Sequence, residues 1–266
     1  MMNQTDQVTT WDTSSEPSTF DPQDWFQYVQ RVRGRAVPPV SDLVVLSVIN
    51  PPLSDVHAEL VEQRYGRRVE DFALSGHPFV VIEHEGHQVT VCTSSKGSYS
   101  AGAVDELIAL GAKKIVLLNV GAALSEEPEV GHYVSATSAL RDDGVSNNYL
   151  PPSRFIEGSP SLCASLTQMG DGKVHSGAVW TNVAHFRLAV PRVQAFRAEG
   201  CLLLDNEVAG IYAVAKARGV EAAALVFNGL TMATNRIEVP ESHGVMYDEK
   251  TAAEHFDLAL AALVNA

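Results

Sequence analysis

Four short polar segments of the sequence contain the residue types that bind small polar molecules or move protons. The first, Thr93–Ser100, brings hydroxyl groups together with Lys96, Gly97 and Ser98 just before a predicted helix. Free N–H groups and the helix dipole favour negative charge at such a place, so this segment is a candidate anion-binding loop. A solvated loop rich in helix-capping residues would have the same composition, and neither P-loop nor dinucleotide-binding spacing is present.

The second segment, Leu140–Pro152, is crowded with polar side chains. It contains Arg141 and Asp143 together with a further carboxylate, amides, a hydroxyl and a phenol. Polar loops of this length often bind ligands. Arg141 is therefore a candidate substrate ligand and Asp143 a candidate catalytic carboxylate. A surface turn built around Asp143 and Gly144 is the alternative interpretation.

The third segment, Val179–Arg187, places two aromatic residues close to an arginine. Trp180 and Phe186 could stack on a planar ligand while Thr181 and Arg187 form hydrogen bonds to it. Core packing explains the two aromatic residues equally well.

The fourth segment, Leu204–Gly210, contains two carboxylates and an amide that follow an apolar strand and open a helix. Asp205 and Glu207 are the candidate catalytic residues, and Asn206 is a candidate substrate ligand. Asp205 could instead be a helix N-cap, because acidic residues at a helix start are favoured by the dipole. Glu207 precedes an apolar run, and a carboxylate in such surroundings needs a hydrogen-bonding partner.

The elements between these segments indicate an α/β fold in which buried strands alternate with helices. The predicted strands are Leu43–Ile49, Phe79–Glu83, Gln88–Thr93, Lys114–Val120, Val174–Trp180, Cys201–Leu204 and Ala222–Phe227. The predicted helices are Pro22–Val29, Ser54–Tyr65, Ala101–Leu110, Val190–Glu199, Asp205–Arg218 and Asp248–Asn265. The unit Gln88–Val120 reads as a βαβ crossover, which implies parallel pairing. Ligands of such sheets bind at the carboxyl ends of strands, where the four polar segments are expected.

Composition restricts the class of protein further. The chain has 266 residues, 45% of them hydrophobic, and a formal net charge of −13. This acidic balance disfavours nucleic-acid polymers and membrane surfaces as partners. Three widely spaced cysteines match neither a disulfide framework nor a zinc site, and no metal-ligand spacing is visible. We expect a cytoplasmic protein with a disordered tail over residues 1–21 and a single domain over residues 22–266.

Four motifs, in order and spacing, resemble the nucleoside phosphorylase/uridine phosphorylase superfamily, which includes nucleosidases. Arg141-Asp-Asp-Gly-Val-Ser-Asn-Asn-Tyr-Leu-Pro-Pro152 is similar to the run R-D-E-G-T-S-x-H-Y-L-P-P of one bacterial branch. Leu204-Asp-Asn-Glu207 falls on the family motif V-E-M-E. The other two are the helix Gly102–Gly111 and the segment Gly177–Thr181 with Arg187.

The resemblance implies a single-domain, three-layer α/β/α fold with a central twisted mixed sheet. It also implies cleavage or transfer of the N-glycosidic bond of a nucleoside or modified nucleoside, without a cofactor. Glu207 would hold the ribose hydroxyls, and Gly121 and Asn228 would belong to the pocket. The partners implied are a small nucleoside-like substrate, phosphate as an optional second substrate, and further copies of the chain in a homo-oligomer.

Several family motifs are altered in ways that disfavour ordinary purine phosphorolysis. Val48–Leu53 replaces the phosphate loop G-D-P-x-R and lacks its arginine, and Asn228-Gly229 replaces S-D, whose Asp commonly acts as the general acid. A phosphate dianion needs several charge-assisted donors, of which Lys96 is the one identified. A hydrolase, a derived enzyme with different chemistry in specialised biosynthesis, and a non-catalytic binding protein therefore stay open as alternatives.

Overall fold

A computed structural model of the chain describes residues 17–34, 37–49, 53–68, 70–74, 77–238 and 247–266. The strands in these ranges are β1 (Leu43–Ser47), β2 (Glu70–Leu74), β3 (His77–His84), β4 (His87–Thr93), β5 (Lys114–Ala123), β6 (Tyr133–Arg141), β7 (Phe155–Glu157), β8 (Val174–Thr181), β9 (Cys201–Asp205) and β10 (Glu221–Thr231). The α-helices are α1 (Pro22–Arg33), α2 (Leu53–Tyr65), α3 (Tyr99–Ala109), α4 (Ser146–Tyr149), α5 (Pro160–Met169), α6 (Val190–Ala198), α7 (Val208–Ala217) and α8 (Glu249–Asn265). A short 3₁₀ helix covers His185–Arg187.

The strands form one mixed sheet that closes on itself at one end. Strand β5 pairs with β10, β10 with β6, β6 with β8, β8 with β9, and β9 with β5 again, which makes a ring of five strands. The sheet continues outward from β5 through β1, β4, β3 and β2. In the ring, β9 is antiparallel to β5, whereas β8 and β9 are parallel.

The two faces of the sheet are covered by different helices, as the predicted three-layer architecture requires. Helices α1, α3 and α7 pack on one face, where alternate β1 residues such as Val44 and Leu46 point. Helices α2, α5 and α8 cover the other face, which receives Val45. The predicted fold class is confirmed. No helix within the described ranges has the length and apolar character needed to cross a membrane.

Most of the predicted elements are present. Helix α1 begins at Pro22 with Asp21 as N-cap, and the Asp21 side chain accepts hydrogen bonds from the N–H groups of Gln23 and Asp24. The predicted strands Phe79–Glu83 and Gln88–Thr93 lie in β3 and β4, which pair antiparallel as a hairpin. Helix α7, however, begins at Val208 rather than at Asp205, because Asp205 still belongs to β9.

Other elements differ from the prediction. Strands β4 and β5 do run parallel, but they do not pair with each other because β1 lies between them. Strands β2, β6 and β7 and helices α4 and α5 were not predicted. The predicted disordered tail falls mainly on residues 1–16, which lie outside the described ranges.

Candidate active site

The ring and the loops that follow its strands and β4 bring all four polar segments together. The antiparallel pairing of Ala122 with Leu204 leads the chain beyond β9 back alongside Asn119 in β5. The parallel pairing of Thr181 with Asp205 places the end of β8 beside the end of β9. The loop after β4 then joins them, because the backbone N–H of Gly97 donates to Glu207.

Glu207 is buried, with 2% of its surface exposed, and both of its carboxylate oxygens have a donor. Oε1 accepts from the N–H of Gly97 at 2.6 Å, and Oε2 accepts from the side-chain amide of Asn119 at 2.7 Å. A carboxylate oxygen can accept two hydrogen bonds, so each oxygen retains room for one more. The partner that a buried Glu207 requires is thus present, and acceptor capacity is left over.

Asp205 is buried directly behind Glu207 and ties β9 to the start of α7. Its Oδ2 accepts from the N–H groups of Glu207 and Val208, both at 2.8 Å, and its Oδ1 accepts from the hydroxyl of Thr181 at 2.6 Å. Thr181 in turn accepts from the N–H of Ala209. These bonds satisfy first-turn donors of α7 that have no partner within the helix. Asp205 therefore has the capping function considered for it, although Glu207 occupies the N-cap position.

The two carboxyl groups influence each other because both lie in a region of low dielectric. Burial, and secondarily the charge of Glu207, raise the pKa of Asp205. Burial likewise raises the pKa of Glu207, while the charge of Lys96 and the hydrogen bonds from Gly97 and Asn119 oppose that rise. The amide of Asn119 also lies 3.3 Å from Oδ2 of Asp205, so it stands between the two acids. The two protons of such a pair are lost in two steps, whose pKa values belong to the pair rather than to either residue.

A narrow cavity lies over Glu207. Four residues singled out in the sequence line it: Ser98, Asp143, Asn206 and Glu207. The remaining lining residues are small or apolar: Gly97, Ser100, Ala101, Val145, Val183 and Gly210. Lys96 is half-buried next to this wall, and its charge opposes the rise in the pKa of Glu207. The cavity is thus lined by two carboxylates and by no basic residue among those described.

The loop after β6 supplies Asp143 to the cavity, and Arg141 holds that loop in shape. The guanidinium of Arg141 donates to the carbonyl groups of Leu150 and Pro151 and to the hydroxyls of Ser146 and Ser153. Four of its five N–H donors are therefore used within its own loop, and Arg141 is not among the residues that line the cavity. The carboxylate of Asp143 accepts from the N–H and hydroxyl groups of Ser146, which fixes it at the start of α4.

Trp180 lies in the core rather than on the cavity wall. It is fully buried, its ring meets that of Phe196 edge to face at 4.8 Å, and its Nε1 donates to Oδ2 of Asp142 at 2.9 Å. Asp142 also accepts from Asn182, the residue before the cavity-lining Val183. Trp180 thus contributes to the cavity wall indirectly, because it and Asn182 donate to the same carboxylate, that of Asp142.

The remaining predicted site residues lie outside the cavity lining. Phe186 is 98% exposed and Arg187 is also exposed, both in the 3₁₀ helix that follows Val183. Gly121 has a packing role, because a Cβ there would lie 2.6 Å from the carbonyl oxygen of Leu204. The side chain of Asn228 joins the N–H of Ala123 to the carbonyl of Pro128. Binding roles for these four residues stay predictions.

Two residues of the site were missed by the sequence analysis. Asn119 bridges the two acids, and Asp142 connects Trp180 and Asn182 to Arg192 of α6. The one sequence signal that could have indicated Asn119 is its position as a polar residue directly after the apolar run of a predicted strand. Within the described ranges no group of three or more His, Cys, Asp or Glu residues is arranged to hold a metal ion.

A family model matches residues 42–264 of the chain, and its description is the phosphorylase superfamily. The chain belongs to the phosphorylase superfamily. Over 152 residues it is 27% identical to guanosine phosphorylase of Halorubrum lacusprofundi. That alignment covers 55% of this chain and 62% of the relative, which is less than two thirds of the relative's length.

Solved structures of other superfamily proteins share the fold. Uridine phosphorylase from Vibrio fischeri superposes with a TM-score of 0.72 at 19% identity, over 85% of this chain and 93% of the other. AMP nucleosidase from Bacteroides thetaiotaomicron gives 0.65 at 21% identity, over 91% and 96%. Purine nucleoside phosphorylase from Toxoplasma gondii, in complex with immucillin-H, gives 0.69 at 16% identity, over 85% and 90%. At these identities the likeness concerns the fold alone.

Proposed function

We propose that this protein cleaves the N-glycosidic bond of a ribonucleoside or modified ribonucleoside, with Glu207 holding the sugar. The observation that carries the proposal is the buried Glu207 carboxylate on the cavity, with one protein donor on each oxygen. The remaining acceptor capacity suits two neighbouring hydroxyl groups of a sugar. Membership of the phosphorylase superfamily supports the same reaction class.

The reaction breaks the bond between C1′ of the sugar and a nitrogen of the base. The electron pair of that bond leaves with the base, which takes up a proton, while an oxygen nucleophile bonds to C1′ and gives up a proton. Asp143 also lines the cavity, and its carboxyl group is not part of the Asp205–Glu207 pair. We therefore assign the proton transfer to Asp143. Asp205 does not line the cavity and acts through Glu207.

The charges around the cavity favour water over phosphate as the nucleophile. A phosphate dianion would have to lie beside Glu207 and Asp143 with Lys96 as its nearby cation, because Arg141 does not line the cavity and uses four of its five donors in its own loop. Charge-assisted binding of phosphate requires several such donors. We therefore infer hydrolysis, or transfer of the sugar to another neutral acceptor, rather than phosphorolysis.

Substrate entry requires the cavity to widen. In this state it leaves no room for a molecule of the size of water, whereas ligand pockets in general have volumes of roughly 300–1,000 Å³. Val145 and Val183 lie on its wall, and the latter precedes the exposed Phe186 by three residues. We propose that the loop carrying Val183 shifts on binding and that Phe186 then covers the base, which is the stacking role predicted for it.

The direct test is release of free base from a panel of nucleosides, followed by chromatography with and without phosphate. The panel contains guanosine, inosine, adenosine and uridine, and each is incubated with wild type, Glu207→Gln and the exposed control Glu62→Gln. Base release that is independent of phosphate, lost in Glu207→Gln and retained in Glu62→Gln supports the proposal. Release that requires phosphate contradicts the choice of water. Binding without release by any nucleoside indicates a binding protein instead.

The homo-oligomeric state stays a prediction and can be tested separately. Light scattering coupled to size-exclusion chromatography gives the mass of the particle in solution, which we expect to be a multiple of the chain mass. A monomeric mass at micromolar concentration would contradict it.

A further inference from the structure

We propose that Asn119 is a positioning residue that holds Oε2 of Glu207 so that the carboxylate can accept two sugar hydroxyl groups at once. This inference rests on the proposed function of the site. Asn119 is fully buried in β5, and its amide N–H donates to Oε2 of Glu207 at 2.7 Å. The side chain itself is fixed, because its Oδ1 accepts from the N–H of Val120 at 2.8 Å.

The geometry assigns the substrate class more narrowly than a nucleoside in general. Gly97 and Asn119 each occupy one acceptor position, on different oxygens of the carboxylate. Each carboxylate oxygen of Glu207 therefore keeps one free acceptor position, and the two free positions can accept hydrogen bonds from two neighbouring hydroxyl groups. A neighbouring diol, as in ribose, fills both, whereas a 2′-deoxy sugar leaves one buried position unfilled. Such an unfilled buried position is a strong basis for rejecting the deoxy analogue.

Asn119 also favours the ionised form of Glu207, which is the form that accepts hydrogen bonds from hydroxyls. The other charged or titratable groups at Glu207 are Lys96 from the loop after β4, Asp205 from β9 and Asp143 from the loop after β6. Lys96 supports ionisation of Glu207, and the neighbouring Asp205 works against it. Because the amide of Asn119 is neutral, it stabilises the negative charge of Glu207 without placing a cation between Asp205 and Glu207.

The test compares guanosine with 2′-deoxyguanosine, and adenosine with 2′-deoxyadenosine, by kcat/KM for base release across pH 4 to 9. Asn119→Ser loses the reach to Glu207. We expect the preference for the ribonucleoside to fall by roughly tenfold or more, which is the scale of one hydrogen bond to a charged group. The fall in kcat/KM on acidification should also begin at a higher pH, because Glu207 loses a donor that favours its charged form.

The control is Ser135→Ala, which removes another buried side-chain donor, the hydroxyl that donates to the carbonyl of Cys163 in a region away from the cavity. It should lower stability without changing either readout. An Asn119→Ser protein that keeps the wild-type ribose preference and pH profile overturns the inference while leaving the proposed function intact. No base release from any of the four compounds by wild type would instead contradict the proposed function itself.

If Asn119→Ser does not fold, the side-chain amide resonance of Asn119 in ¹⁵N-labelled wild type gives the same information. We expect that resonance to shift on titration of the acids and on addition of guanosine, and to shift less with 2′-deoxyguanosine. A resonance that responds to neither overturns the inference.

Discussion

The two faces of the sheet each contain a buried polar cluster, and the two clusters are built on different principles. On the face covered by α3 and α7, Asp205 and Glu207 share donors and keep acceptor capacity that faces a cavity. On the face covered by α2 and α8, four neutral side chains form a linear hydrogen-bonded chain that ends on a backbone carbonyl group. Its links are Ser47 to His57 at 2.7 Å, His57 to Tyr247 at 3.0 Å, Tyr247 to His255 at 2.7 Å, and His255 to the carbonyl of Leu225 at 2.8 Å.

The direction of every bond in the second cluster follows from its last link. The carbonyl of Leu225 can only accept, so Nε2 of His255 carries a proton and Nδ1 of neutral His255 accepts from the hydroxyl of Tyr247. Tyr247 then accepts from Nε2 of His57, and Nδ1 of His57 accepts from the hydroxyl of Ser47. Each donor and each ring nitrogen has one partner.

The difference is the one expected between a structural polar cluster and the functional cluster that we propose at Glu207. The histidine chain is neutral and each ring nitrogen has a hydrogen-bonding partner, which is the arrangement that stabilises a fold. The acid pair has two carboxyl groups, each with a raised pKa, and unfilled acceptor positions on a cavity. Perturbed groups of this kind cluster at sites that bind and react. Changes in the first cluster should therefore affect stability, and changes in the second should affect activity.

The largest expected effect is that of Glu207→Gln on activity. The amide keeps the shape of the side chain, but it removes the charge and one of the two acceptors for the sugar. We expect kcat/KM for base release to fall by roughly 10²–10³, by analogy with the loss of one preorganised catalytic contact. The melting temperature should stay within a few degrees of wild type. A fall of less than about threefold would break the comparison, because the acid pair would then be structural too.

The next largest effect is acid destabilisation through the histidine chain. Burial lowers the pKa of His57 to about 4, so the folded protein takes up this proton at a lower pH than the unfolded chain, for which 6.5 is the ordinary value. The contribution to stability is present above pH 6.5 and is lost as the pH falls towards 4. It amounts to about 3 kcal/mol from this group.

Denaturant unfolding at pH 7 and pH 4.5 measures this loss. His57→Gln should show a smaller difference between the two pH values than wild type does. An equal difference in both proteins would mean that His57 is not held neutral by the fold.

A smaller effect is expected from Tyr247→Phe, which removes the hydroxyl at the centre of the chain. The variant leaves Nδ1 of His255 and Nε2 of His57 without their partner, at a cost of about 1–3 kcal/mol in the free energy of unfolding. Calorimetric melting measures this cost, and kcat/KM at pH 7 should be unchanged. Loss of activity in a protein of unchanged stability would contradict the structural role of this face.

The smallest effect is expected from Asp142→Asn, behind the cavity wall. The amide oxygen can still accept from Trp180, but the ion pair with the half-exposed Arg192 is lost. Ion pairs of this exposure contribute about 0–1 kcal/mol. We therefore expect KM to rise by less than about tenfold, through looser positioning of Val183, with kcat little changed. A large fall in kcat would place Asp142 among the catalytic groups and would extend the acid cluster.

The sequence predicted those parts of the molecule that depend on local pattern. Leu43–Ser47 and α8 were found because continuous apolar runs and helical periodicity are local properties. Strand β6 was missed, because its alternation of Ser, Thr and Ala residues has weak apolar character although most of it is buried. Glu207 was selected by its motif, and the hydrogen-bonding partner expected for a buried acid is present, whereas its role in binding or catalysis stays a prediction.

The contacts that give these residues their roles could not be predicted, because they join distant parts of the chain. Asn119 meets Glu207 because a strand ring closes between them, and His57 meets Tyr247 across 190 positions. Trp180 illustrates the ambiguity of composition: an aromatic residue in a site motif is here part of the core.

A crystal structure of the protein with a bound ribonucleoside tests the central claim most directly. The compounds to be tried in it are guanosine, which follows from the proposed function, and immucillin-H, the compound present in the Toxoplasma gondii structure. The account predicts two sugar hydroxyl oxygens within hydrogen-bonding distance, about 2.5–3.0 Å, of Oε1 and Oε2 of Glu207, with Gly97 and Asn119 still bound to that carboxylate. A nucleoside bound with its sugar away from Glu207 would contradict the account.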